Sequence, residues 1–274
     1  MAVQPSTPVR RAAVRTVSIG SVSYLNAKPL IYGLDQANDL RLILDVPSRL
    51  LDGLRQHRMD VALLPVIDYQ RLEGLRVVPA GGIGCDGPTL TVRIFSRRPI
   101  PQIKTLACDT DSHTSVALAR VLLAERSGIR PRFVDWSGAS GAEASCDALL
   151  LIGDKVVCEE PRGYEHQLDL GAAWKELTGL PFVFAVWMAR PGVDLGDLPG
   201  RLGRARESGL SHVDEIIGRC AVPRGWPENV ARQYLCGYLK YEIGERQLEA
   251  MRLFHQLAGK HEAIEGRLRE LRMY

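Results

Sequence analysis

Among the six cysteines of the chain no two form a C-x-x-C pair, and no Cys/His set carries zinc-ligand spacing. That excludes a structural zinc site of the usual kind. Cys85, Cys108, Cys146, Cys158, Cys220 and Cys236 read instead as free, mostly buried thiols of a reducing cytoplasm. Long apolar runs are missing too. Nothing approaches the roughly 20 apolar residues that would span a bilayer, and the opening MAVQPSTPVRRAAVRT lacks the hydrophobic stretch of a signal peptide. Residues 1–14 read as a frayed leader, and a cytoplasmic location with no membrane partner is expected. Charge of one sign is scarce: 35 Lys and Arg stand against 32 Asp and Glu, for a net charge of +3. With no dense basic stripe, nucleic acid is not an expected partner. No G-x-S-x-G elbow, H-E-x-x-H or P-loop occurs. The histidines are scattered, so no local pair suggests a metal.

What is present is an ordinary globular composition, 46% hydrophobic and 24% charged over 274 residues, enough for one large or two medium domains. Strands are predicted at Val14–Gly20, Leu40–Val46, Val61–Leu64 and Val77–Pro79, with helices from near Ala27–Leu30, where Pro29 suits a first turn, from an N-cap at Ser48 to His57, and over Ile67–Glu73. This βα rhythm argues for a mainly parallel sheet covered by helices. Gly81 to Pro88 reads as a flexible loop and Thr89–Ser96 as a strand. A second series follows: strand Thr105–Cys108, helix Ser112–Arg126, strands Arg132–Asp135 and Ala148–Ile152, helix Leu170–Thr178 and strand Phe182–Ala189. Leu198–Arg219, Pro227–Gln233 and Glu245–Leu271 carry helical periodicity. The fold class expected is α/β with two lobes, one of residues 1–98 and 187–274, the other of residues 99–186, and a small-molecule ligand in the cleft between them.

Several segments carry candidate chemistry. Gly82-Ile83-Gly84-Cys85-Asp86-Gly87 matches G-x-G-x-x-G by letter, but Pro88 and a β run follow where a dinucleotide site needs a helix. A loop at a lobe crossing is the better reading. Asp109-Thr110-Asp111-Ser112 resembles the start of a calcium loop but lacks its glycine and terminal glutamate. Ser112, Thr114 and Ser115 crowd one predicted helix N-terminus. They read as a cap or as a site for a carboxylate, since free N–H groups and hydroxyls both donate to an anion. His113 sits in the same turn. Asn26 and Lys28 occupy the corresponding turn of the first lobe, where Asn26 is either a cap or a hydrogen-bonding group for a ligand.

These segments together resemble the MqnA family of chorismate dehydratases. Ser23-Tyr24-Leu25-Asn26-Ala27-Lys28-Pro29-Leu30 is similar to its SYLNA-(R/K)-PL opening, and Asp86-Gly87-Pro88-Thr89-Leu90-Thr91-Val92 to its DGPV-x-SV segment. Asp109 to Ser115 resembles its D-x-x-S-x-TS turn, and Leu150 to Asp154 its LLIGD. Asp169-Leu170-Gly171, Trp174, Thr178 to Ala185 and Trp187 resemble DLG-x-x-W-x-x-x-TGLPFVFA-x-W. The likeness runs from about Ile19 to the C-terminal helices. Thr91 departs from the family's usual Ser, and His113 stands where Arg is frequent.

The resemblance implies the two-lobed fold of type II periplasmic binding proteins, with two crossings between the lobes. It implies conversion of chorismate to 3-[(1-carboxyvinyl)oxy]benzoate and water on the futalosine route to menaquinone, without a cofactor. Asn26 is then the expected catalytic residue. Substrate contacts are expected from Ser23, Tyr24, Lys28, Gly87, Thr91, Ser112, His113, Thr114, Ser115 and Asp154. Lys28 could equally be a solvent-facing lysine and Asp154 a cap of its own loop. Two other readings stay open: a non-catalytic solute-binding or sensor module of the same fold, and the sister 1,4-dihydroxy-6-naphthoate synthase, which lacks the SYLNA opening.

Overall fold

The computed structural model describes residues 16–109, 112–136, 145–158 and 161–274. The expected leader, and Thr110 and Asp111 of the turn before Ser112, lie outside them. The chain opens with β1 (Val17–Ser21), a 3-10 segment Leu25–Ile31 and β2 (Leu40–Leu44). Helix α1 (Pro47–Arg55), β3 (Val61–Pro65), the 3-10 turn Val66–Gln70 and β4 (Arg76–Cys85) follow. The second lobe holds β5 (Val92–Ser96), β6 (Thr105–Asp109), α2 (His113–Ser127), β7 (Arg132–Trp136), β8 (Ala148–Ile152), α3 (Asp154–Cys158), β9 (His166–Asp169) and α4 (Leu170–Thr178). The chain returns along β10 (Phe182–Ala189) to α5 (Leu198–Ser211), α6 (Val213–Ile216), α7 (Glu228–Arg232), β11 (Leu239–Lys240) and α8 (Glu245–Lys260), with π-helical turns at Ile217–Ala221 and Gln233–Tyr238.

Two sheets result, in the orders β11-β4-β10-β3-β1-β2 and β7-β6-β8-β5-β9. In the first, β1 lies parallel to β2 and β3, while β10 runs antiparallel between β3 and β4. Every residue of β3 is buried, as the continuous apolar run Val61–Leu64 requires of a strand covered on both faces. In the second, β6 is parallel to β7 and β8, and β5 is antiparallel to β8 and β9. The chain therefore leaves the first sheet along β4 and re-enters it along β10, whose ends pair at Cys85 and Phe182. By sheet membership β5 falls with the second sheet and Phe182–Val186 with the first, whereas the sequence suggests cuts after residues 98 and 186.

Several local expectations are corrected. Gly81 to Cys85 is not a loop but the second half of β4. Its glycines are there for close approach: a Cβ on Gly82 would stand 2.6 Å from the Ala185 carbonyl, and one on Gly84 2.6 Å from that of Phe182. The strand expected from Thr89 begins only at Val92, because Leu90 takes a left-handed φ of 70°. Pro29 does not open its helix; the turn starts earlier, with Ala27 N donating to Tyr24 O at 3.1 Å. Ser48 does not cap α1, since Pro47 takes the first position and needs no partner. The last helix stops at Lys260, ahead of Glu262 at φ 57°, and the tail returns to the first sheet, where Tyr274 N donates to Val77 O. Of the six cysteines three are buried, while Cys158 and Cys236 are exposed and Cys220 is intermediate.

At the join of the lobes Trp174, Phe182 and Phe254 pack edge to face, with centroids 5.0 to 6.1 Å apart. Trp174 Nε1 donates to Pro181 O at 2.9 Å. Asp169 fixes the other join: its carboxylate caps α4 through Gly171 N and Ala172 N and also accepts from Thr89 N and Leu90 N. A Cβ on Gly171 would meet Gly87 O at 2.5 Å. The DGPT and DLG segments thus lock together and set the outgoing crossing.

Candidate active site

A cavity of about 200 Å³ lies between the lobes. Its walls are largely apolar, from Val22, Leu25, Leu63, Ile83, Val92, Ile152, Phe184 and Leu239. Polar side chains from four segments converge on it. Asn26 comes from the 3-10 segment after β1, Thr91 from the outgoing crossing, Ser112 and Ser115 from the start of α2, and Asp154 and Lys155 from the start of α3. Trp226 and Tyr234 arrive from the C-terminal segment. The parallel strands β1, β6 and β8 each end at this cleft, which is where such sheets deliver loops and helix N-termini.

Tyr234 sits at the centre of one wall. Its hydroxyl accepts from Thr91 Oγ1 at 3.0 Å, and the Asn26 side chain acts on the same phenol as a polar neighbour that holds it down. Burial raises the phenol to about 12, only partly offset by Thr91 and Asn26. The Asn26 Oδ1 atom is buried and has no hydrogen-bond partner, and the same holds for Thr89 Oγ1. The Tyr234 ring stacks on Trp226, 5.2 Å between centroids and 26° between planes. Trp226 Nε1 in turn donates to Asp154 Oδ1 at 2.8 Å. The opposite corner holds an ion pair. Lys155 Nζ lies 2.8 Å from Asp109 Oδ2 and 5.6 Å from the Trp136 ring centroid. Ser112 caps α2, accepting from Ser115 N and bonding Ser115 Oγ at 2.8 Å. This corner combines a helix N-terminus, two hydroxyls and an ammonium, all suited to a carboxylate.

Of the residues singled out by sequence, Tyr24, Asn26, Thr91, Ser112, Ser115 and Asp154 line the cavity. Ser23 is exposed beside it, with its carbonyl accepting from Arg224. Gly87 shapes the crossing at φ 122° without reaching the cavity wall. Thr114 is buried and meets Ile67 N at 3.4 Å. His113 turns to the first lobe, 3.2 Å from the buried carboxylate of Asp68, which Arg71 also contacts. Lys28 opens onto a separate groove with Tyr32 and Glu215. Lys155, Trp226 and Tyr234 were not foreseen. Lys155 directly follows the LLIGD segment, a signal that was available; Trp226 and Tyr234 flank the helix expected over Pro227–Gln233 and fall in no assigned element or motif. Among the described residues no group of three or more His, Cys, Asp or Glu could hold a metal ion, and no helix is long and apolar enough to cross a membrane.

Two α/β lobes around a polar-ended cleft define the class of type II periplasmic-binding-protein-like folds, and solved structures agree. A protein of Archaeoglobus fulgidus superposes with a TM-score of 0.70 at 16% identity, covering 90% of this chain and 98% of that one. The periplasmic aliphatic sulphonate binding protein SsuA of Escherichia coli gives 0.64 at 14% identity, over 94% and 96%. Within that class the chain belongs to the menaquinone biosynthesis family, whose profile matches residues 17–260. A chorismate dehydratase of Thermus thermophilus is 28% identical over 264 residues, 90% of this chain and 96% of the relative. One of Campylobacter jejuni is 28% identical over 173 residues, 61% and 64%.

Proposed function

We propose that this protein is a chorismate dehydratase of the futalosine route, removing water from chorismate to leave 3-[(1-carboxyvinyl)oxy]benzoate. The observation that carries the reading is the buried, unpartnered Asn26 Oδ1 in a cavity whose far corner suits an anion. A buried polar atom without a partner costs on the order of 1–3 kcal/mol, a cost that a bound substrate removes by donating to it. Chorismate brings a ring hydroxyl and two carboxylates joined by an apolar diene. The diene matches the apolar walls. One carboxylate belongs with Ser112, Ser115 and Lys155.

Asn26 is not a base, because an amide has no useful basic pKa. Its role is to hold the reacting carbons and hydroxyl in register, and the substrate's own side-chain carboxylate takes the ring proton. Loss of water aromatises the ring, so the chain must mainly orient the diene and assist departure of the two leaving fragments. The reaction is redox-neutral, and no cofactor is called for by its balance. Enclosure between lobes excludes bulk water from an intermediate that has other fates.

The test is to incubate the purified protein with chorismate and follow products by chromatography with mass detection. A species lighter by one water, retaining the enolpyruvyl group and formed over many turnovers, is expected. Chorismate that binds but stays unchanged would favour a solute-binding module of the same fold instead.

A further inference from the structure

We propose that Tyr234 is the proton donor to the departing hydroxyl, an inference that rests on the dehydratase reading. Hydroxide is a poor leaving group; water is a good one. The cavity therefore needs an acid beside the ring hydroxyl. Its other polar groups do not suit the task. Asn26 and Thr91 are far weaker acids than a phenol. Asp154 offers a carboxylate already engaged by Trp226 Nε1. Lys155 belongs to the corner assigned to a substrate carboxylate and already shares its ammonium with Asp109 across 2.8 Å. Tyr24, the other phenol of the lining, is 36% exposed and stands in contact with solvent.

The hydrogen-bond pattern orients the phenol. Tyr234 is 2% exposed. Its oxygen receives the Thr91 hydroxyl at 3.0 Å, with the Asn26 side chain as a polar neighbour. The Thr91 donor takes one lone pair of the phenolic oxygen and leaves its proton to point elsewhere. In the Thr91 pair Tyr234 is the acceptor, and Asn26 Oδ1 remains unpartnered. The O–H is thus free for a ligand in the cavity. Thr91 and Asn26 also stabilise the phenolate that proton transfer would leave, as their hydrogen bonds act to lower the phenol while burial raises it. The residue lies on the π-helical turn Gln233–Tyr238, an element that recurs at functional sites. Stacking on Trp226 fixes the ring plane.

The step balances as follows. The C–O bond to the ring hydroxyl breaks with its electron pair on oxygen, which takes the Tyr234 proton and leaves as water. The electron pair of the neighbouring C–H bond becomes the new ring π bond, and its proton passes to the substrate's side-chain carboxylate. That carboxyl group returns the proton to the Tyr234 phenolate. One chorismate has become one benzoate and one water, and the enzyme is unchanged.

The experiment compares the wild-type chain, Tyr234→Phe, Tyr238→Phe as a control on the same turn, and the full chain carrying 3-fluorotyrosine at position 234. Steady-state rates with chorismate are read from pH 6 upward, with melting curves for each. For Tyr234→Phe, kcat is expected to fall about 100-fold, the usual scale for losing a general acid, with KM within roughly threefold and Tyr238→Phe unaffected. Fluorination makes the phenol more acidic, so the alkaline limb of the kcat profile should move to lower pH. Tyr234→Phe retaining a third or more of wild-type kcat overturns the proposal. If that variant does not fold, the fluorotyrosine chain decides: an unmoved alkaline limb overturns it, and a shifted limb supports it. A wild-type chain that binds chorismate without turnover removes the dehydratase reading and this inference together. An active wild type with an active Tyr234→Phe removes only the inference.

Discussion

At the scale of single residues, the division of labour in the cavity follows from what each side chain can do. Asn26 donates and accepts but does not ionise, so its contribution is geometric and electrostatic. Its side chain acts on the Tyr234 phenol and its Oδ1 is left over. Replacing it by Ala removes both, and should lower kcat/KM on chorismate by about 100-fold or more, the scale seen when one donor to a reacting oxygen is lost. A chain with near-normal turnover would sink this role. The sequence made Asn26 legible because its segment matches a recognisable opening. It could not show that Lys28, two positions on, opens onto another groove: side-chain direction in a 3-10 turn depends on where the turn begins, and that was set by the Tyr24 carbonyl rather than by Pro29. His113 was placed on the correct helix but not on the correct face. It serves the buried Asp68 at the lobe contact, a pairing 45 residues away in sequence that no local pattern carries.

At the scale of elements, periodicity read well where one residue class dominated. Ala148–Ile152, Leu170–Thr178 and Phe182–Ala189 stand as expected, because each is a clean apolar run or a helix with an N-cap and a C-terminal Gly. It failed where glycine serves packing instead of flexibility, as in Gly81 to Cys85. It failed again where helices are irregular. The π turn that presents Tyr234, Gln233–Tyr238, has no distinct residue pattern, and the helix expected over Pro227–Gln233 stops one residue short of Tyr234. Glycine packing also yields a prediction. Helix α5 rests on the 3-10 segment that carries Asn26, and a Cβ on Gly209 would collide with the backbone of Pro29. Backbone cannot rotate away as a side chain can. Gly209→Ala should therefore cost roughly 1–3 kcal/mol, as overpacking does, and should shift Asn26 enough to lower turnover, although residue 209 does not line the cavity. Thermal melting and chorismate kinetics would check both halves. Unchanged stability and rate would show that α5 yields freely.

At the scale of the whole molecule, the C-terminal helix decides how the lobes and the tail are held. Across the lobes, Glu125 of α2 meets Lys260 and His261. Within the first lobe, His255 of α8 is 3% exposed and lies 3.0 Å from the Val66 carbonyl and 3.1 Å from Gln70 Nε2. A carbonyl accepts only, so Nε2 carries the proton and Nδ1 accepts from Gln70. The same Gln70 holds the tail through Arg269. This arrangement needs neutral imidazole. Burial pushes His255 from 6.5 down to about 4, the Val66 bond offsetting only part of that. Below pH 6.5 the unfolded chain takes up a proton that the folded chain refuses, so stability falls as pH falls, and the loss levels off near pH 4. The full span is on the order of 3 kcal/mol, each tenfold in proton affinity being about 1.4. Carboxylates act lower. Glu125, held down by its hydrogen bonds to Lys260 and then His261, and Asp147, held down by the Lys104 amide, support the fold above their ordinary 4.5 and 3.8 and release it only below those values. The slope between pH 6.5 and 4.5 therefore belongs mainly to His255. Urea unfolding at pH 7, 5.5 and 4.5 should show wild-type stability declining across that window. His255→Gln, which keeps a donor and an acceptor but no titration, should start less stable at pH 7 and stay nearly level. Parallel declines in the two chains would mean that the acid sensitivity lies elsewhere, and that the junction of α8 with the first lobe tolerates a charged imidazole.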